Sequence, residues 1–188
     1  YPMPTYVLYR TLAAIQPAKV VEILYGERGT DWVLPVEPLL SVNAAVTLIA
    51  TPNSPTGHLV PMEDLRRLAA GLGGVLVVDE AYVDFAGEGA DMASLALVRE
   101  FENVILLRTL SKGYGLAGLR LGFGIAQPGL LAGLLKIKDS YNVDAIALQL
   151  GAAALRDQTY KRECAQKVIA AREALSAELR SRDFVVWP

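Results

Sequence analysis

Along the first 126 residues, short unbroken apolar runs bounded by glycine, proline or acid alternate with longer stretches in which apolar residues recur at helical spacing. The runs Ala45–Ala50, Gly74–Asp79, Asn103–Arg108 and Leu121–Ala126 have strand length and read as buried strands, the last extending back towards Leu119. Lys19–Leu24 alternates and predicts a further strand, and the polar, glycine-bearing Tyr25–Pro35 predicts a plain connection. Helices are predicted at Thr5–Gln16, with Thr5 as cap and Pro17 as stop, and at Pro38–Asn43, Pro61–Ala70 and Asp91–Phe101. In the third of these, Pro61 suits the first helical position, and Glu63 and Asp64 complement the positive N-terminal end. Past Ala126, a helix over Pro128–Lys138 is broken by Asp139–Asp144. Two long helical stretches follow, Asp144–Arg156 and Thr159–Arg182, the second laced with opposite charges.

Strands alternating with helices predict an α/β fold of three layers, α/β/α, with a mostly parallel sheet. Residues 1–140 read as the central part of a large domain, and 141–188 as helices leading towards a smaller one. The opening Tyr1-Pro-Met-Pro4 and the fresh apolar run at Phe184–Trp187 read as cut ends of a longer protein.

Composition narrows the function more by exclusion than by direction. A formal net charge of −2 makes no electrostatic case for nucleic acid or an anionic membrane surface, and no run is long and apolar enough to span a bilayer. The 53% hydrophobic content with 20% charged residues is that of a core-rich globular chain. One cysteine, Cys164, set among charges on a predicted helix, rules out an internal disulfide framework and fits a reducing cytoplasm. His58 is the sole histidine, so neither a serine-hydrolase triad nor a histidine-rich metal site is expected.

The chemistry concentrates in Thr109–Arg120, a glycine-interrupted loop between two predicted strands. Lys112 is the only lysine between Lys19 and Lys136 and is expected to stand partly desolvated among small and apolar neighbours. A lysine amine so placed is the nucleophile that condenses with a carbonyl to form a Schiff base. Arg120 can take a phosphate in two-pronged fashion, with the hydroxyls of Thr109 and Ser111 donating to the same oxygens. An amine and a phosphate grip on one loop point to pyridoxal phosphate. The same stretch spells G-x-G-x-x-G at Gly113, Gly115 and Gly118, but a dinucleotide site needs a helix after it, where a strand is predicted here.

Two further loops complete the pattern. Thr51–Gly57 is stiffened by Pro52 and Pro55 and is expected to present the Asn53 amide. Gly74–Asp79 is an apolar run ending in acid, the signature of a central parallel strand with function at its carboxyl end. Asp79 and Glu80 could hold a metal only with partners the sequence does not supply. A single Asp opposite a pyridine nitrogen is the better use, with Tyr82 and Asn53 available to the ring's phenolic oxygen.

Taken together, Thr51–Gly57, Val78–Phe85 and Arg108–Phe123 resemble the fold-type I, pyridoxal-phosphate-dependent aminotransferases of class I/II, most closely the histidinol-phosphate branch. Pro4–Tyr6 and Asp139–Asp144 are similar as well, so the resemblance spans essentially the whole chain. It implies that Lys112 carries the cofactor and shuttles a proton, and that Asp79 pairs with the pyridinium nitrogen. Asn53 and Tyr82 would bond the phenolic oxygen, Thr109, Ser111 and Arg120 would hold the phosphate, Tyr6 would stack on the ring, and Asn142 would approach the substrate. The implied reaction exchanges histidinol phosphate and 2-oxoglutarate with imidazole-acetol phosphate and glutamate, in a cytoplasmic homodimer. An aromatic or broad-range aminotransferase and a phosphothreonine decarboxylase-like enzyme share that cofactor site. A non-catalytic interaction domain descended from such an enzyme is the reading from a different class. Ser54 stands where many relatives have a second Asn. The family's upstream phosphate loop, the tyrosine contributed across the dimer and the small-domain arginine are expected outside this stretch, which alone should show little turnover.

Overall fold

The structure, a computed structural model, describes residues 1–187. In chain order the elements are β1 (Pro2–Met3), α1 (Leu8–Ile15), β2 (Ile23–Leu24), β3 (Gly26–Arg28), β4 (Asp31–Val33), α2 (Val36–Ser41), β5 (Val46–Ala50) and α3 (Met62–Gly71). Next come β6 (Val75–Asp79), α4 (Ala90–Ala93), α5 (Leu95–Glu100), β7 (Val104–Thr109), β8 (Gly122–Ala126), α6 (Pro128–Leu135), α7 (Ala145–Arg156) and α8 (Gln158–Ser181). Short 3-10 turns sit at Val83–Phe85 and Ala117–Leu119.

The main sheet runs β5-β6-β7-β8, parallel across its first three strands and antiparallel at β8. Alternation along each strand divides its side chains between the two faces. Ile49, Leu76, Val78, Val104 and Leu106 are fully buried on one face, beneath Val36 and Leu39 of α2, Leu65 and Leu68 of α3, and Leu97 and Val98 of α5. This is the hydrophobic centre of the chain. On the opposite face Val75, Val77 and Asp79 are only partly covered. Leu76 has no exposed surface and sits within the main core cluster, so Leu76→Ala should cost about 2–5 kcal/mol. Chemical denaturation of the intact protein checks this; a loss under about 1 kcal/mol would mean that the site collapses around the smaller side chain.

Parallel pairing brings the carboxyl ends of β5, β6 and β7 to one edge: Ala50 lies opposite Asp79, and Asp79 opposite Leu107. All three chemically marked loops therefore leave the sheet together. Thr109 pairs with Gly122, so the Lys112 loop is the connection that turns β7 back into β8. The glycine-rich stretch leads through a 3-10 turn into a strand, with no helix start for a dinucleotide.

Several local expectations change. Thr5 does not cap α1, which begins at Leu8 with no side-chain cap; its hydroxyl donates instead to Asn53 Oδ1 at 2.7 Å. The strand expected at Lys19–Leu24 shrinks to Ile23–Leu24, because only Pro2–Met3 is available to pair with it. Tyr25–Pro35 holds a hairpin, β3 against β4, turning at Gly29 with φ +63°. The helix over Asp91–Phe101 is divided at buried Ser94, whose hydroxyl is drawn towards Arg108. Both α7 and α8 are capped by aspartates, Asp144 and Asp157. α7 fits Gly151 against Leu121 and Leu110, and α8 packs on the 3-10 turn after β6, so both return to the lysine loop. No helix among the described residues is long and apolar enough to cross a membrane.

Candidate active site

A cavity of about 350 Å³ opens at the carboxyl edge of the sheet. Tyr6, Asp79, Tyr82, Thr109, Ser111, Lys112 and Arg120 all line it. They come from four separate segments: the stretch just before α1, the end of β6 with the turn after it, the end of β7 and the β7–β8 loop. The Lys112 Nζ stands 5.2 Å from the centre of the Tyr82 ring. Lys112 itself is exposed rather than desolvated as the sequence suggested, because the loop covers the sheet edge on one side only. The Thr109 hydroxyl accepts from the Ser111 amide at 3.0 Å, a turn that sets both hydroxyl-bearing residues at the cavity wall. Arg120 takes a left-handed backbone, φ +51°, and donates from its guanidinium to Ala117 O at 2.8 Å. A non-glycine residue in that region carries strain, and such strain gathers where a side chain must be aimed.

The two acids part company. Asp79 faces the cavity, its Oδ1 accepting from the Ala81 amide at 3.1 Å and its Oδ2 from the Tyr9 hydroxyl at 2.8 Å. Glu80 turns underneath, where it is 3% exposed and accepts from Arg108 Nε at 2.8 Å. Burial pushes the Glu80 carboxyl above its ordinary range, while Ser94 and Arg108 pull the other way. No group of three or more His, Cys, Asp or Glu side chains able to hold a metal converges among the described residues.

Tyr9 and Arg108 are site residues that the sequence reading passed over. Tyr9 reads as one more apolar position of a helix, yet it lies three residues from Tyr6 on the same helical side, and that spacing was the available signal. Its ring meets that of Tyr6 edge to face at 5.8 Å, and burial, reinforced by the Asp79 charge, raises its hydroxyl well above the usual tyrosine range. It therefore serves as a neutral donor. Tyr9→Phe removes that hydrogen bond and should destabilise the intact protein by about 1.5–3 kcal/mol, the worth of one bond to a charged group. Chemical denaturation measures this, and an unchanged stability would mean that the Ala81 amide alone holds Asp79.

Two expected residues stand apart from the cavity. Asn53 is 3% exposed and turned into its own loop: its amide donates to Pro4 O at 2.9 Å and Thr56 Oγ1 at 2.8 Å, and its oxygen accepts from Thr5. Both amide hydrogens are spent on shaping the loop, which presents Pro52 and Ser54 to the cavity instead. Asn142 is exposed and accepts from Lys138 Nζ at 2.8 Å, away from the other residues, because the Asp139–Asp144 break carries it outward. His58 lies behind the loop against Tyr25, with burial lowering its basicity and Nε2 left without a partner.

The model of the aminotransferase class I and II family matches residues 1–188. The chain belongs to this family. Among curated aminotransferases, it is 60% identical to histidinol-phosphate aminotransferase 1 of Trichormus variabilis, over 100% of this chain and 51% of that protein. It is 44% identical to the histidinol-phosphate aminotransferase of Geotalea uraniireducens, over 100% of this chain and 52% of that protein. Of solved aminotransferases, the histidinol-phosphate aminotransferase of Sinorhizobium meliloti, in complex with pyridoxal-5'-phosphate, superposes with a TM-score of 0.82 at 29% identity. That match covers 94% of this chain and 49% of the other. The chain thus spans about half the length of the relatives it matches.

Proposed function

We propose that this chain supplies the cofactor-holding half of a histidinol-phosphate aminotransferase. The observation that carries the proposal is the meeting of one amine, one unshared carboxylate and a hydroxyl-and-guanidinium set on a single cavity of about 350 Å³. That donor set fits a small aromatic aldehyde bearing a phosphate. The 60% identity to a protein named for this activity supports the substrate class.

Bound pyridoxal phosphate supplies an electron sink for the carbon next to the substrate's amino group. Several further roles fall to side chains of this chain. Lys112 Nζ would hold the cofactor's aldehyde carbon and, when free of it, would take a proton from the substrate carbon and return it. Asp79 would hold a proton on the ring nitrogen, while Tyr9 and the Ala81 amide fix the carboxylate's orientation. A carboxylate accepting two bonds retains lone pairs for a third. Thr109, Ser111 and Arg120 take the phosphate, with Arg120 free to use its outer donors. Tyr6 and Tyr82 bound the ring, with Tyr82 offering its hydroxyl to the phenolic oxygen, and Asn53 acts one step back by holding the Thr51–Gly57 loop. Residues 141–188 are taken as the lead into a second domain, and the intact protein as a cytoplasmic homodimer.

The test is the visible absorption of the intact protein loaded with pyridoxal phosphate, followed after histidinol phosphate is added without any keto acid. The band should change with histidinol phosphate at least about tenfold faster than with phenylalanine or phosphothreonine. A band that histidinol phosphate leaves untouched would overturn the substrate class. Failure to form a band would overturn the cofactor.

A further inference from the structure

On the far side of the Lys112 loop lies a second, larger cavity of about 640 Å³, between the 3-10 turn after β6 and helix α8. Its wall contains a lysine that the chemistry above does not use. Lys161 of α8 is only 5% exposed, and its Nζ reaches Asp91 Oδ2 at 2.7 Å and Asp84 Oδ1 at 3.1 Å. Burial works against its charge, yet the bonds to Asp91 and Asp84 outweigh that and hold its ammonium above the ordinary lysine range. A buried ion group of this kind is weak as a source of stability, since desolvation consumes most of the attraction. Its effect lies in which segments it fixes together.

Those segments, the turn carrying Asp84 and helix α8, pack against the two residues after Lys112. Asp84 comes so close to Gly113 that a Cβ there would stand 2.3 Å from its Oδ2, a space only glycine leaves open. Tyr114 lies on the opposite side, its ring centre 5.7 Å from Lys161 Nζ and its hydroxyl accepting from Gln158 Nε2 of α8 at 3.1 Å. One ammonium therefore joins the residue packed on Gly113 to the helix packed on Tyr114. The loop they pass along is exposed at Lys112 and has few other anchors: the Gly115 amide donates to Lys112 O, and the Leu116 amide to Leu110 O, both at 2.9 Å.

We propose that Lys161, held by Asp84 and Asp91, is a positioning residue that clamps Gly113 and Tyr114 between α8 and the turn after β6, and so fixes where the Lys112 amine stands. This rests on the reading that Lys112 carries the cofactor. Its first test does not. In the intact protein without cofactor, Lys161→Met should speed hydrogen exchange of the Gly115 and Leu116 amides about tenfold, while amides of β6 and β7 keep their protection. In the loaded protein, the pH midpoint of the visible band should move by about one unit, which a merely structural change would not produce. Should Lys161→Met fail to fold, Gln158→Ala, which removes the bond to Tyr114 together with one to Leu155 O and leaves the Lys161 ion group in place, should give a smaller change in the same direction. A folded variant with unchanged exchange at Gly115 and Leu116 overturns the clamp. Faster exchange with an unmoved midpoint overturns its role in placing the amine. Absence of any band in the unsubstituted protein strikes the cofactor reading and leaves the exchange result to decide the clamp by itself.

Discussion

Lys112→Ala should lower transamination by the intact protein by about four orders of magnitude, with folding unaffected. The size follows from the two tasks placed on one atom. In the proposed function Nζ binds the aldehyde and then carries a proton at the substrate carbon, and among the described residues no other lysine lines the cavity. Because the side chain is exposed and its only close partner is the Tyr82 ring at 5.2 Å, truncation leaves neither a buried cavity nor an unpaired charge. Steady-state rates with histidinol phosphate and 2-oxoglutarate, beside a thermal denaturation curve, measure both halves of the statement. A variant that retains a tenth of the rate would contradict the assignment, since exogenous water cannot do both tasks at comparable speed.

Asp79→Ala should be the second most damaging change, costing about a hundred- to a thousandfold in turnover while the cofactor still binds through the phosphate residues. The carboxylate is aimed before any ligand arrives, with its two oxygens engaged by the Tyr9 hydroxyl and the Ala81 amide. Its contribution is a fixed charge at the end of a buried strand, where it costs no rearrangement during reaction. Asp79→Asn keeps the size and one of the two accepted bonds, loses the charge and sets an NH2 that cannot accept at the other, so it should be nearly as slow as the alanine variant. An asparagine variant close to the unsubstituted rate would mean that shape, not charge, is what the position supplies.

The strands that lead to these two residues could be read from the chain because one face of each is buried and the other is partly covered. Val75–Val78 and Val104–Leu107 are apolar throughout for that reason, and an unbroken apolar run ending in a charged residue suits a central strand better than any surface element. That Lys112, Asp79, Tyr82, Thr109, Ser111 and Arg120 line one cavity was legible for a related reason: parallel strands bring their carboxyl ends to one edge, so loops far apart in sequence must meet there. What was not legible depends on contacts between distant residues. Thr5 has the composition of a helix cap, and only its meeting with Asn53, 48 residues away, diverts its hydroxyl. Asn53 has the donors to reach a ligand, and only the positions of Pro4 O and Thr56 decide that they are spent at home. The hairpin β3–β4 was missed because its strands are polar and short, with neither face deep in the core to impose an alternating pattern. Tyr9 was hidden by its own suitability for a helix interior, and Lys161 by its place in a helix laced with opposite charges, where one more lysine draws no notice.

The central claim, that Lys112 is the residue joined to the cofactor, is tested most directly by trapping. The intact protein is loaded with pyridoxal phosphate, reduced with borohydride and digested with trypsin, and the labelled peptide is identified by mass. The label should lie on Thr109–Arg120, left uncut at Lys112 because a modified lysine resists the protease. A label found on Lys19, Lys136 or Lys161, or on no peptide at all, would contradict it.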